Sequence, residues 1–339
     1  VFTVDEEVGM LGAQALSCSD LKGRLFLNLD SEEEGEFLLS CAGGVSVLMD
    51  IPVKYEKTQR RSYRVSVSGL QGGHSGTEIH RGGANANKLL GDYFHKLNSP
   101  FFLVEICGGK KDNAIPREAH AVFAADCEEA VLRRIFHEVV AQAREKYAAN
   151  EPDMKWEFVR EDGVCQAMTK EDSANVIRAL VALPNGVVKM SGDIDGLVQT
   201  SLNLGILAAK EESVSFTLAV RSSVEREKQE LVAKIREVAS QCGGRITTAG
   251  EYPAWEYKED SWLRHVIGTA YEEQYGKKPI WKAIHAGLEC GLFAGKLPGL
   301  DCVSFGPDMK DIHTTKECMD AHSVQRTWKL LLTTLSRLK

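Results

Sequence analysis

The chain has 339 residues, 43% apolar and 26% charged, with a formal net charge of −7. That is the balance of a soluble globular protein with room for two domains of ordinary size. The acidic balance, with no Lys/Arg cluster interleaved with aromatics, argues against a nucleic-acid footprint, and no apolar run approaches the roughly 18 residues of a membrane helix.

In chain order, VFTV is a short apolar, β-branched run that predicts a strand ending on Asp5, Glu6 and Glu7, with VGMLGAQAL opening a helix behind it. RLFLNLD, residues 24–30, predicts a second strand that also ends on a carboxylate. The strand–helix–strand rhythm implies a parallel sheet covered by helices, and ligands of such sheets bind beyond the carboxyl ends of the strands. From about Gly44 the pattern changes. YRVSVSGL alternates as a half-exposed strand, GGANANKLLGDYFHKL reads as a helix, FFLVEICGG and HAVFAAD as strands, EEAVLRRIFHEVVAQAREKYA as a long amphipathic helix and KWEFVRED as a strand.

A similar order follows: a helix at SANVIRALVAL, strands at GLVQTSLNLGIL and SVSFTLAVRS, a helix at EKQELVAKIREVASQ and a strand at RITTAGEY. Two consecutive β-α-β-β-α-β units, ferredoxin-like in order, would make one continuous antiparallel domain. After about Glu251 the α/β alternation returns, with SWLRHVIGTAYEEQYG as a helix ending at Gly276 and DAHSVQRTWKLLLTTLSRLK as a terminal helix. The expected division is therefore 1–43 and 251–339 as two segments of one α/β domain, interrupted by an α+β insertion over 44–250. Nine scattered cysteines without a C-x-x-C pair read as reduced thiols. With no leader-like segment legible, a cytoplasmic location is expected.

Glu6 and Glu7 would point to opposite faces of an extended chain, so one could bind a metal while the other moves a proton. An isolated acidic pair is nearly always solvated surface; here it follows an apolar run and precedes glycines that permit close approach. Asp30 could equally cap a helix in front of SEEEG, yet carboxylates at the tips of neighbouring strands also suit hard or borderline divalent ions. His313, in the polar turn after CVSF, can deliver an imidazole to the same sheet edge.

Together VDEEVGMLGA, NLDSEEEG, GLQGGHSG, DNAIPREA, HAGLECG and GPDMKDIHTTKE resemble, in order and over the whole chain, the dinuclear zinc peptidases of the aminoacyl-histidine dipeptidase type. These are relatives of carboxypeptidase G and aminoacylase. The resemblance implies an α/β zinc-peptidase catalytic domain with a mainly parallel sheet, incomplete here, interrupted by a lid. It implies Glu6 as general base, Glu7 and His313 on one zinc, and Asp30 on the other, with cobalt or manganese as substitutes. His74 in GGHSG resembles the lid histidine that stabilises the oxyanion, in some relatives across a dimer. Asn113 in DNAIPR and Arg221 in AVRSSV resemble the residues that hold the substrate's terminal carboxylate, for which arginine's rigid fork is suited.

Each lid residue has a plainer reading, a glycine-rich turn for GGHSG and a surface ion pair for Arg221. His285, in HAGLECG, lies in a segment that resembles a substrate-lining loop, its role open between substrate contact and structural hydrogen bonding. The implied substrates are Xaa-His and other small, carnosine-like dipeptides, and the implied partner is a second copy through the lid. The pattern also needs an H-x-D segment and a metal-bridging Asp upstream of the acidic pair, which this sequence does not carry. A truncated or processed polypeptide, weak or inactive by itself, is the corresponding expectation. The competing readings are an amidohydrolase that removes acyl groups from amino acids, and a non-catalytic remnant acting through the lid.

Overall fold

The computed structural model describes residues 1–6 and 9–338. Its strands fall into two principal sheets. The smaller has the order Leu25–Leu29, Asp301–Phe305, Glu36–Cys41, Ile280–Ile284. Leu25–Leu29 runs parallel to Asp301–Phe305, and Ile280–Ile284 parallel to Glu36–Cys41; the two pairs meet at one antiparallel bridge between Ser304 and Leu38.

Parallel pairs need covered faces, and helices Trp262–Tyr275 and Ala321–Arg337 supply part of that cover. They close a core of Phe37, Leu263, Ile267, Tyr271, Val303, Phe305 and Leu330. Phe37 meets Tyr271 edge-on at 5.3 Å and stacks on Phe305 at 5.7 Å. The first of these helices is capped by Ser261, whose hydroxyl accepts from the Arg264 N–H, and it stops at Gly276 with φ 67°, the left-handed C-terminal signal expected there.

Two expectations change in this sheet. VFTV is not a strand: Val1, Phe2 and Val4 are exposed, and the Val4 carbonyl accepts the Gly12 N–H at 2.9 Å instead of a ladder bond. β-Branched composition alone supplies no pairing partner. Conversely Glu36–Cys41, which the sequence reading leaves unassigned, is a strand with buried Phe37 and Leu39.

The larger sheet is antiparallel throughout. Its order is Arg245–Tyr252, Gly43–Pro52, Ser213–Ser222, Val198–Ala209, Phe101–Gly108, Ala119–Ala125, Arg61–Ser68, Lys155–Glu161, with Gly186–Met190 also paired to Val198–Ala209. Arg61–Ser68, helix Ala86–Lys96, Phe101–Gly108, Ala119–Ala125, helix Glu129–Tyr147 and Lys155–Glu161 form one β-α-β-β-α-β unit. Its strands lie in the spatial order second, third, first, fourth.

Four of the remaining strands repeat that arrangement around helices Lys170–Ala182 and Glu225–Gln241, but their first strand is Gly43–Pro52. The units are therefore nested rather than consecutive, the one inserted after the other's first strand. Val45, Val47, Met49 and Ile51 face the core with period two, which fixes this strand in the sheet. The second strands of both units pair through Leu207–Gly108 and Ala208–Cys107, fusing the two into one sheet with one core. Polar Ser46, Asp50, Arg64, Ser66, Cys107 and His120 alternate with the core residues and so occupy the opposite face. Among the described residues no helix is long and apolar enough to cross a membrane.

Candidate active site

Asp30 follows the strand Leu25–Leu29, and the neighbouring parallel strand Asp301–Phe305 leads into the hairpin Met309–Lys310/Cys318–Met319 that carries His313. Hydrogen bonds fasten this hairpin and the segment leading into it to the loop behind Asp30: Ser31 N–H to the Phe305 carbonyl at 3.4 Å, Met309 N–H to the Glu32 carbonyl at 2.8 Å, and Glu34 N–H to the Asp308 side-chain Oδ1 at 2.7 Å. A Cβ at Gly306 would lie 1.8 Å from the Ser31 carbonyl oxygen, so only glycine allows the approach. His313 itself is exposed, and its N–H donates to Glu317 Oε2 at 3.2 Å. Glu7 lies outside the described residues.

Glu6, Asp30 and Glu289 line one groove of about 910 Å³ that runs along the strand Leu25–Leu29. The Asp30 carboxyl is pushed up to about 6, first by burial and then by the negative charges of Glu6 and Glu289, against a hydrogen bond from Asn28 that favours ionisation. Glu289 is buried, and its Oε1 has no hydrogen-bond partner. Sequence reading missed this residue because HAGLECG offers a more conspicuous histidine; the available signal was an acid opening the helix Glu289–Lys296. Crowded carboxylates and an orphaned buried carboxylate oxygen are what a divalent cation relieves, and the oxygen-rich set fits such an ion.

Four non-glycine residues with left-handed backbone occur among the described residues, Asp5, Met10, Asp311 and His313, all within these two candidate segments. Such conformations cost energy and concentrate at functional sites.

Below pH 6 the proton on Asp30 competes with any metal held there, because the raised carboxyl is then mostly neutral. Metal retention in competitive dialysis is expected to fall by up to about tenfold per pH unit below 6 on account of Asp30, and Asp30→Asn should make that fall shallower.

A second group of residues gathers on the larger sheet. His74 Nδ1 accepts from the Gly76 N–H at 3.3 Å and the Thr77 N–H at 3.2 Å. Two backbone donors on Nδ1 assign the proton to Nε2, leaving an N–H donor at the other end of the ring. Burial, and then the charge of Arg221, hold the His74 imidazole below its ordinary value against the pull of Glu78, so the ring is neutral at pH 7. Arg221 Nη1 donates to the Tyr252 hydroxyl at 2.8 Å, while its buried Nε has no partner.

Ser201, the cross-strand neighbour of Arg221, meets His285 Nε2 through its hydroxyl at 2.7 Å. Burial, and then Arg221, pull His285 down to about 3, so it is neutral too. Asn113 is exposed; its carbonyl accepts the Ser75 N–H at 2.8 Å beside a His74–Ala114 bridge. The Asn203 side chain holds that loop through the carbonyls of Asp112 at 2.7 Å and Ala114 at 2.9 Å. A Cβ on Gly76 would sit 2.7 Å from the His285 carbonyl oxygen, which shows how closely the HAGLECG segment meets the GGHSG loop.

HAGLECG thus touches both groups. His285 packs against the His74 and Arg221 group, and Glu289, four residues later, lines the carboxylate groove. Four residues span at most about 14 Å, the scale of a short peptide.

Residues 61–151 match the peptidase dimerisation domain of the M20 family. A cytosol non-specific dipeptidase of Escherichia coli (strain K12) is 33% identical over 336 residues, covering 98% of this chain and 69% of that protein. The chain belongs to the M20 metallopeptidase family. The crystal structure of an aminoacylhistidine dipeptidase from Vibrio alginolyticus superposes with a TM-score of 0.93 at 36% identity, over 99% of this chain and 69% of that one. In this M20 chain the dimerisation-domain match runs from the strand Arg61–Ser68 to just beyond the helix Glu129–Tyr147.

Proposed function

We propose that the protein is a cytoplasmic, metal-dependent dipeptidase acting on Xaa-His and other small dipeptides. The observation that carries this reading is the placement of the carboxylate groove and the His74–Arg221 group at the two ends of one short segment, His285 to Glu289. The names of the Escherichia coli and Vibrio alginolyticus relatives point to the same chemistry. The reading keeps three chain segments, with 1–43 and 251–339 as catalytic and 44–250 as an inserted lid, and a homodimer through that lid.

Asp30, Glu7, His313 and the additional Glu289 would contribute ligands to a site for two zinc ions, which in full also takes the H-x-D and bridging Asp ligands that the resemblance implies. A metal held there would supply Lewis-acid polarisation of the scissile carbonyl and acidification of water. Glu6 takes a proton from the attacking water and passes it to the leaving amine. His74 Nε2–H donates to the carbonyl oxygen as negative charge develops on it. Arg221, fixed by Tyr252 and with Nε available, pairs with the free carboxylate alongside Asn113. His285 is a positioning residue held by Ser201.

A panel of dipeptides and N-acyl amino acids tests the reaction class: hydrolysis of dipeptides is expected, whereas turnover confined to N-acyl amino acids would place the protein with the amidohydrolases. Replacing Arg221 with Met should raise KM roughly 10- to 100-fold for a dipeptide with a free carboxylate. The matching dipeptide amide should be turned over with nearly unchanged KM.

A further inference from the structure

The neighbouring strands Phe101–Gly108 and Ala119–Ala125 carry a donor set separate from the carboxylate groove. Cys107 lies directly opposite His120 in the ladder, with Sγ 3.5 Å from each of the two ring nitrogens. His120 Nε2 is 3.6 Å from Glu105 Oε1, and Cys107 Sγ is 4.0 Å from that same oxygen. A register shift between Leu103 and Glu105 puts Leu103 in the core and Glu105 on the opposite face, beside Cys107. Without that irregularity two residues at i and i+2 would share a face, so the bulge re-aims the carboxylate.

The bond lengths of tetrahedral zinc, about 2.3 Å to sulfur and about 2.0 Å to nitrogen or oxygen, require sulfur–nitrogen and sulfur–oxygen edges of about 3.5 Å and a nitrogen–oxygen edge of about 3.3 Å. The three edges here lie within about 0.5 Å of those values. Cys107 and His120 are half-buried and Glu105 is exposed, which leaves a fourth position open to water. Arg64, the nearby cation on the adjacent strand, is engaged by Glu161 at 2.9 Å.

We propose that Glu105, Cys107 and His120 form a binding site for a borderline divalent transition metal of the zinc class, clipping two strands of the larger sheet together. The mixed sulfur, nitrogen and oxygen donors select such an ion over magnesium or calcium. Binding takes Cys107 as its thiolate and releases one proton to solvent.

Cobalt(II) added to the metal-stripped protein tests the site, because only a sulfur ligand gives a near-ultraviolet thiolate-to-cobalt charge-transfer band. The band should saturate at the intensity of one thiolate-bound cobalt per chain, vanish in Cys107→Ser and need at least about tenfold more cobalt in His120→Asn. Glu105→Gln, which preserves shape and the thiol, should also weaken it, and metal-free unfolding midpoints close to the parent's establish that the variants fold. No band in the parent protein would overturn the proposal. So would a band that survives Cys107→Ser, since exposed Cys165 and Cys318 or buried Cys290 would then be its source.

Discussion

Replacing Glu6 by Gln is expected to lower kcat for dipeptide hydrolysis by roughly 10²- to 10⁴-fold, the range for losing a positioned acid–base group. KM should stay within a few-fold, because the amide keeps the shape and loses only the ability to accept a proton. Glu6 shares the groove with Asp30 and raises its carboxyl through negative charge, so the two lie close together. Metal content separates base from ligand: a general base leaves it unchanged in Glu6→Gln, whereas a ligand role would lower it. A variant that retains metal and more than about a fifth of parental kcat would remove Glu6 from the proton-transfer role.

The second large effect is expected at His74. Removing one oxyanion donor typically costs about 10²- to 10³-fold in kcat, and His74→Ala should fall in that range with little change in KM. The ring is held with Nδ1 toward the Gly76 and Thr77 N–H groups, so Nε2 is the donating end. Gln places an N–H near the Nε2 position, and His74→Gln should therefore recover part of the loss, while Asn should recover less. Burial, and then the charge of Arg221, hold the imidazole below its usual value, which favours the neutral donor. The acid limb near 6 that the Asp30 carboxyl would give the pH–rate profile should survive in His74→Gln. Equal kcat in the parent and His74→Ala would contradict the oxyanion role.

Much of this was legible because strand ends are conspicuous. Asp30 is at the tip of an apolar run, His74 and Asn113 sit in glycine-rich or polar punctuation and Arg221 near the end of a strand, in motifs that carry a family resemblance. What stayed hidden depends on pairing. VFTV has strand composition but no ladder, whereas GGVSVLMDIP has clear period-two alternation and takes its place as a unit's first strand only when Ser213–Ser222 pairs beside it. Glu289 opens a short helix, and nothing in its local spacing says that Asp30 lies across from it. Likewise both strands bearing Glu105, Cys107 and His120 were readable, while the register and bulge that join those side chains were not.

On the proposed reading Glu6, Asp30 and Glu289 surround a metal site distinct from the cysteine-containing one. Metal content per chain, by elemental analysis after zinc loading and dialysis, tests it most directly in a Cys107→Ser background. Bound zinc is expected in that background, with loss of at least half of it on adding Asp30→Asn or Glu289→Gln. Zinc content unchanged by both substitutions would contradict the assignment of the groove.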